Sequence, residues 1–309
     1  MEFHVDPTLA EGLKAARVGD IDAALVPLIR ADEPRLYLPI ARVRGVRMQE
    51  VTGPGLPRML VYTPTRGKGA RPAILHSHGG GYMFGRPEAS HRRNAMLCRS
   101  LGAVVVSVDY RKAPENPYPA ALDDMRAAWG WLLASAGSHG IDTARIALIG
   151  ESAGGGLAAA LALALRDESA VQPVFQALIY PMIDDRTATT RPWTGPRPHV
   201  WTDRSNAFAW RSYLGREPGG DDVPPLAAPA RATDLSGLPP TWIGTGDIDL
   251  FAAENLAYAS RLIGAVVPCE VMVLPGAYHA FQRQAPDSPV TKRFESAYAE
   301  ALRTALSRA

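Results

Sequence analysis

The chain has 309 residues, 47% of them hydrophobic, enough to bury a large core without a disulfide or metal staple. Lys and Arg number 33 against 31 Asp and Glu, a formal net charge of +2, and no dense basic run stands out. That balance argues against a nucleic-acid partner and against an anionic membrane surface.

The beginning of the sequence, Met1-Glu2-Phe3-His4-Val5-Asp6, lacks a basic stretch followed by an apolar one. The most apolar run, Leu157 to Leu165, is far below the ~20 residues of a membrane span. A cytoplasmic location is therefore expected. Asp6-Pro7 predicts a helix start, and a second helix is expected from Asp20 to Arg30. Ile40 to Gln49 and Pro57 to Tyr62 read as strands around the turn Gly53-Pro54-Gly55. From residue 72 onward, short apolar runs alternate with helical stretches. The predicted strands are Ala73 to His76, Val104 to Val108, Ile146 to Ile149, Phe175 to Tyr180, Thr241 to Ile243 and Val271 to Leu274. The predicted helices are His91 to Leu101, Ala120 to Ala134, Gly154 to Arg166 and Ala252 to Ile263. Such alternation predicts an α/β fold, a mostly parallel sheet with helices on both faces and its chemistry at the carboxyl ends of the strands. Cys98 and Cys269 are far apart and in no C-x-x-C pair, so two reduced thiols are expected rather than a zinc or redox motif.

Residues 184–225 break the alternation. They are rich in Pro, Arg, Thr and Trp and too long for an ordinary connection, so they read as a cap inserted over the sheet. Residues 1–40 precede the sheet and are a second candidate cap segment, leaving 41–309 as the catalytic domain.

The strongest local signal is Gly150-Glu151-Ser152-Ala153-Gly154-Gly155, a G-x-S-x-G after a predicted strand and before a small-residue helix. A sharp strand-to-helix turn exposes a serine hydroxyl, and the helix dipole favours negative charge beside it. Ser152 is therefore the candidate nucleophile. His78-Gly79-Gly80-Gly81-Tyr82 follows an earlier strand, and consecutive glycines leave backbone N–H groups open to a developing oxyanion. Ala153, just after the nucleophile, supplies the other donor, and His78 and Gly79 support the loop. In this order of elements the base follows the serine. Only His199 and His279 do so, and His279 lies just beyond the last strand. The acid belongs after the preceding strand, where Asp247 and Asp249 both qualify on spacing. Tyr82, Trp201, Phe208 and Trp210 are candidate walls of a substrate pocket. No H-E-x-x-H and no Cys/His cluster is present, so no cofactor and no metal is expected.

Taken together, His78-Gly79-Gly80-Gly81, Asp109-Tyr110-Arg111, Ala113-Pro114-Glu115, Pro119-Ala120-Ala121, Gly150 to Gly155 and Gly276-Ala277-Tyr278-His279 resemble the bacterial hormone-sensitive-lipase family of esterases. The resemblance spans residues 70–282 and implies an α/β-hydrolase fold with a helical cap and a Ser-His-Asp triad. It selects Asp249 as the acid: the family's loop commonly reads D-P-L, and alignment of the flanking residues sets its Asp at Asp249 of Asp249-Leu250-Phe251, with Leu250 where that loop has Pro. It also makes Gly80 and Gly81 the oxyanion donors beside Ala153, and Glu151 a support for its loop. The expected substrate is a small ester of short or medium acyl chain. An amidase, lactonase or formamidase would use the same residues, and a non-catalytic receptor on this fold would have lost some of them. A homodimer is compatible with the sequence and not required by it.

Overall fold

The computed structural model describes residues 4–16, 19–38, 40–67, 69–194 and 198–307. Parts of both expected cap segments, 1–3, 17–18, 39 and 195–197, lie outside the described residues. The strands are β1 (Val46–Gly53), β2 (Leu56–Pro64), β3 (Arg71–Ser77), β4 (Val104–Asp109), β5 (Ile141–Glu151), β6 (Phe175–Ile179), β7 (Thr241–Gly246) and β8 (Cys269–Leu274). They form one sheet in the order β1-β2-β4-β3-β5-β6-β7-β8. β2 runs antiparallel to both neighbours, and β4 to β3 and onward through β8 every pairing is parallel. The helices are α1 (Ala10–Ala15), α2 (Leu25–Tyr37), α3 (His91–Leu101), α4 (Ala120–Ala134), α5 (Ala136–His139), α6 (Ala153–Glu168), α7 (Asp203–Leu214), α8 (Ala252–Gly264), α9 (Phe281–Gln284) and α10 (Pro289–Ser307).

The near-continuous apolar strands follow from burial on both faces. Successive side chains on a strand point to opposite sides, and two cores result. Ala73 and Leu75 of β3, Val104 and Val106 of β4, and Ile146 and Leu148 of β5 pack with α4, α6 and α8. Ile74, Val105, Ala147 and Ile149, the residues between them, pack with α3 and α10 on the other side. Phe294, Tyr298 and Leu302 of α10 surround Trp242 of β7. Helix α6 is buried from Ala153 through Leu165, which its Ala- and Gly-rich first turns permit by letting strands and loops approach closely.

Three expectations shift. The first strand is Val46–Gly53, not residues 40–49. Asp6 organises only a turn through Thr8 N–H, 2.8 Å from its Oδ1, and the helix begins at Ala10. The second helix is Leu25–Tyr37 and runs through Pro34. Two side chains hold it there. Arg30 donates to the carbonyls of Met83 and Ala113 at 2.7 and 2.6 Å and pairs with Glu115, and Glu33 accepts from Gly85 N–H. Among the described residues, no helix is long and apolar enough to cross a membrane.

Candidate active site

Strand β5 ends at Glu151 and α6 begins at Ala153, so Ser152 alone makes the turn between them. It does so at φ 54° and ψ −121°, a strained conformation for a residue with a side chain. The strain persists because the surroundings fix it. Ser152 N–H donates to Ile179 C=O at 2.9 Å, and its own C=O accepts from Met182 and Gly156 at 3.0 Å. At Gly154 the chain passes so close to β3 that a Cβ would stand 2.1 Å from Ser77 C=O. Any larger residue would push the elbow off the sheet.

His279 lies in the loop after β8, and Asp249 in the loop after β7. The His279 imidazole stands between the other two side chains, Nε2 at 2.9 Å from Ser152 Oγ and Nδ1 at 2.8 Å from Asp249 Oδ2. All three are buried. Asp249 is itself held by Phe251 N–H, 2.9 Å from Oδ1. The rings of Tyr180 and Phe251 pack edge-on to the imidazole at 4.7 and 5.2 Å between centroids. Asp247, the alternative acid, points elsewhere and accepts from Gly276 N–H at 2.7 Å. His199 packs against Tyr278 rather than beside Ser152.

The glycine loop after β3 runs beside the elbow. Gly80 adopts φ 132°, and a Cβ there would meet Phe84 C=O at 2.0 Å, so this position admits glycine alone. The Gly80 and Gly81 N–H groups donate to no acceptor among the described residues. Ala153 N–H, at the first position of α6, has no partner within the helix either. His78 does not face Ser152. It stacks on Tyr110 at 4.3 Å, and its Nδ1 bonds Gly79 C=O at 2.9 Å. Burial, aided by Lys112, pushes its imidazole down to about 3, so it stays neutral as a loop support.

Glu151 lies under the elbow. Burial opposes its charge, but the Arg93 guanidinium and His76, 3.0 Å away, overcome that and hold its carboxyl at about 2. It is a fixed anion in a polar network that also includes Ser107 and Asn94.

A cavity of about 310 Å³ opens on Ser152 and His279. Its walls include the glycine loop, Phe84, Tyr180 and Trp201 and, from the N-terminal segment, Ile21, Ile29, Glu33, Leu36 and Tyr37. Of the four expected wall residues only Trp201 lines it, with its indole against Gly81. The other three are corrected. Tyr82 donates to Met182 C=O at 2.9 Å and stacks on Tyr213 at 3.8 Å. Trp210 packs behind that pair, 5.6 Å from Tyr82. Phe208 packs against the same core. These aromatics fasten α7 to the body instead of facing substrate. The N-terminal wall residues were not found from sequence, although Leu25, Ile29, Glu33 and Tyr37 recur at four-residue spacing and so mark one helix face. Among the described residues no three His, Cys, Asp or Glu side chains are grouped to hold a metal ion.

A family model described as alpha/beta hydrolase fold matches residues 74–283. Carboxylesterase NlhH of Mycobacterium tuberculosis is 35% identical over 288 residues, covering 90% of this chain and 88% of that protein. Among solved structures, a bacterial heroin esterase superimposes with a TM-score of 0.91 at 36% identity, covering 98% of both chains. Esterase LipW from Mycobacterium marinum does so with a TM-score of 0.84 at 33% identity, covering 98% of this chain and 96% of its own. The chain therefore belongs to the α/β-hydrolase fold family, on its hormone-sensitive-lipase-like branch, and is a carboxylic-ester hydrolase.

Proposed function

We propose that Ser152 attacks the carbonyl of a small ester of short or medium acyl chain, with His279 as general base and Asp249 orienting it. The carrying observation is the His279 ring within hydrogen-bond reach of Ser152 on one side and Asp249 on the other. His279 takes the serine proton as Oγ attacks, and Asp249 keeps Nδ1 protonated and stabilises the imidazolium. In this reading the N–H groups of Gly80, Gly81 and Ala153 receive the tetrahedral oxyanion, each donor worth about 3–4 kcal/mol in the transition state. Collapse expels the alcohol with a proton from His279. Water then repeats the sequence on the acyl-enzyme.

In this reading residues 1–40 and 184–225 form the cap over a catalytic domain of 41–309. The contacts of Ile21, Ile29 and Tyr37 with the cavity support the first half of that division, and Trp201 the second. A 310 Å³ cavity supports the short-chain preference. Each added methylene gains about 0.8 kcal/mol only while it finds room. The test is kcat/KM on p-nitrophenyl esters from acetate to palmitate, with emulsified triolein alongside. A maximum among the short and medium esters is expected. A maximum at palmitate, or a rate jump above the substrate's solubility limit, would replace this reading with that of a true lipase.

A further inference from the structure

Helix α2 carries an acidic side chain within an apolar stripe: Leu25, Ile29, Glu33 and Tyr37 follow one another at intervals of four. Glu33 lines the same cavity as Ser152 and His279 and is only 7% exposed. Its Oε1 accepts from Gly85 N–H, and Oε2 has no hydrogen-bond partner among the described residues. Among the described residues no Lys or Arg is paired with it. Lys112 and Arg86 are the cations whose fields reach it, and they are engaged with Asp109 and Glu88. Of the two arginines of the cavity wall, Arg93 is paired with Glu151, and Arg283 keeps the neutral Tyr37 hydroxyl and ring as its partners. Burial raises the Glu33 carboxyl above its usual range, and the Gly85 N–H and the fields of Lys112 and Arg86 offset that only in part. Phe84 and Trp201 line the same cavity, with ring centroids 6.4 Å apart and planes at 55°. A carboxylate and aromatic rings lining one cavity are the combination that takes alkylammonium groups, which bind by charge and by the ring quadrupole together.

We propose that Glu33 is a specificity-determining residue, selecting ester substrates that carry a positively charged nitrogen and seating that group against Phe84 and Trp201. The inference rests on the reading that Ser152 attacks the ester within this cavity. Glu33 then discriminates by charge. A neutral substrate leaves the buried carboxylate without a directly paired cation, and a cationic one supplies it.

The test uses matched substrates and Glu33→Gln, which keeps an oxygen for Gly85 N–H and removes the charge. Acetylcholine against its carbon isostere, 3,3-dimethylbutyl acetate, places the cation on the alcohol side. The p-nitrophenyl ester of a trimethylammonio-butanoic acid, against its own carbon isostere, places it on the acyl side. In at least one pair the wild-type protein should favour the cationic ester by about tenfold in kcat/KM. Glu33→Gln should bring the cationic-to-neutral ratio of kcat/KM in that pair to about one, a change of ratio that a lost support, acting on both esters alike, would not produce. No preference in either pair, or an equal fall on cationic and neutral esters, would overturn the proposal, the second because Glu33 would then only clamp Gly85. Should the variant fail to fold, choline must inhibit wild-type hydrolysis of p-nitrophenyl acetate at about a tenth of the concentration needed for 3,3-dimethylbutanol. Equal inhibition overturns the proposal too. Brisk p-nitrophenyl acetate hydrolysis without cation preference would sink the role of Glu33 alone. Absence of all hydrolysis would sink the Ser152 reading beneath it.

Discussion

Around Ser152, backbone touches backbone, whereas residues 20–37, with helix α2, are held through side chains. A Cβ at Gly80 or Gly154 would lie within about 2 Å of a neighbouring carbonyl, so the elbow and the glycine loop have no room to relax. Residues 20–37 are held by separate polar contacts instead. Asp20 accepts from Thr202 at 2.7 Å, Ile21 N–H donates to Ser205 at 2.9 Å, and Arg30 and Glu33 grip the loop after Gly80. Leu28 and Leu36 of α2 stand 63% and 62% exposed. The reacting groups thus sit on an incompressible frame, and the surfaces that meet the rest of the substrate sit on one that can vary at small cost.

That contrast is broken most sharply at the serine. Ser152→Ala should lower kcat by about 10⁴–10⁶ with the thermal midpoint preserved. Retention of a tenth of the activity would remove Ser152 from the mechanism. Asp249→Asn should cost about 10⁴ in kcat, because the amide favours the wrong imidazole tautomer. Asp247→Asn should cost less than about tenfold, since an amide oxygen can still accept from Gly276 N–H. A reversed order would move the acid to Asp247. Gly80→Ala should cost about 10²–10³ in kcat by displacing an oxyanion donor, with circular dichroism unchanged. If KM alone responds, the glycine loop belongs with the selecting surfaces and not with the frame.

A smaller effect concerns acid stability. Glu151 is held at about 2, below its ordinary 4.5, so its contribution is complete above 4.5 and disappears as the pH falls toward 2. His78, held at about 3 against an ordinary 6.5, acts in the same direction, because below 6.5 the unfolded chain takes up a proton that the folded one refuses. Urea midpoints should therefore fall on acidification, and Glu151→Gln should flatten the decline between 4.5 and 2. An equally steep decline in the variant would mean that Glu151 is not the fixed anion its neighbours imply. The smallest effect is expected on the cap's outer face, where Leu28→Ser should change stability by no more than about 0.5 kcal/mol. A larger loss, measured by urea unfolding, would show that the cap is packed as tightly as the frame.

The frame is also the part that sequence makes legible. Its strands read as apolar runs because they are covered on both faces, and its loops are forced into small residues wherever backbones approach. The Ser152 elbow, the glycine loop and His279 are all visible on those grounds. Asp249 could be chosen over Asp247 only through the family resemblance, since either carboxylate fits the spacing. The cap is harder to read because aromatic character does not reveal direction. Tyr82, Phe208 and Trp210 have the composition of pocket walls and are spent on packing, while Ile29 and Glu33 have the look of an ordinary surface helix and face the cavity. Pro34 misleads further, since local propensity ends a helix there that Arg30 and Glu33 hold through it. Helix α10 carries no motif, and only its packing on Trp242 explains it.

The burial of α6 from Ala153 through Leu165 bears on how the protein loses activity when warmed. A helix with no face to water for its first thirteen residues can exchange its amide hydrogens only when the surrounding layers come apart. Ser152 is attached to the first residue of that helix and to the end of β5, the strand at the middle of the sheet. Its amide neighbourhood should rank among the slowest to take up deuterium, and α1 and α2 among the fastest. On gentle heating the chain would then first lose the residues that sort substrates, while still holding the nucleophile in place. Discrimination between esters should fade some degrees before turnover itself.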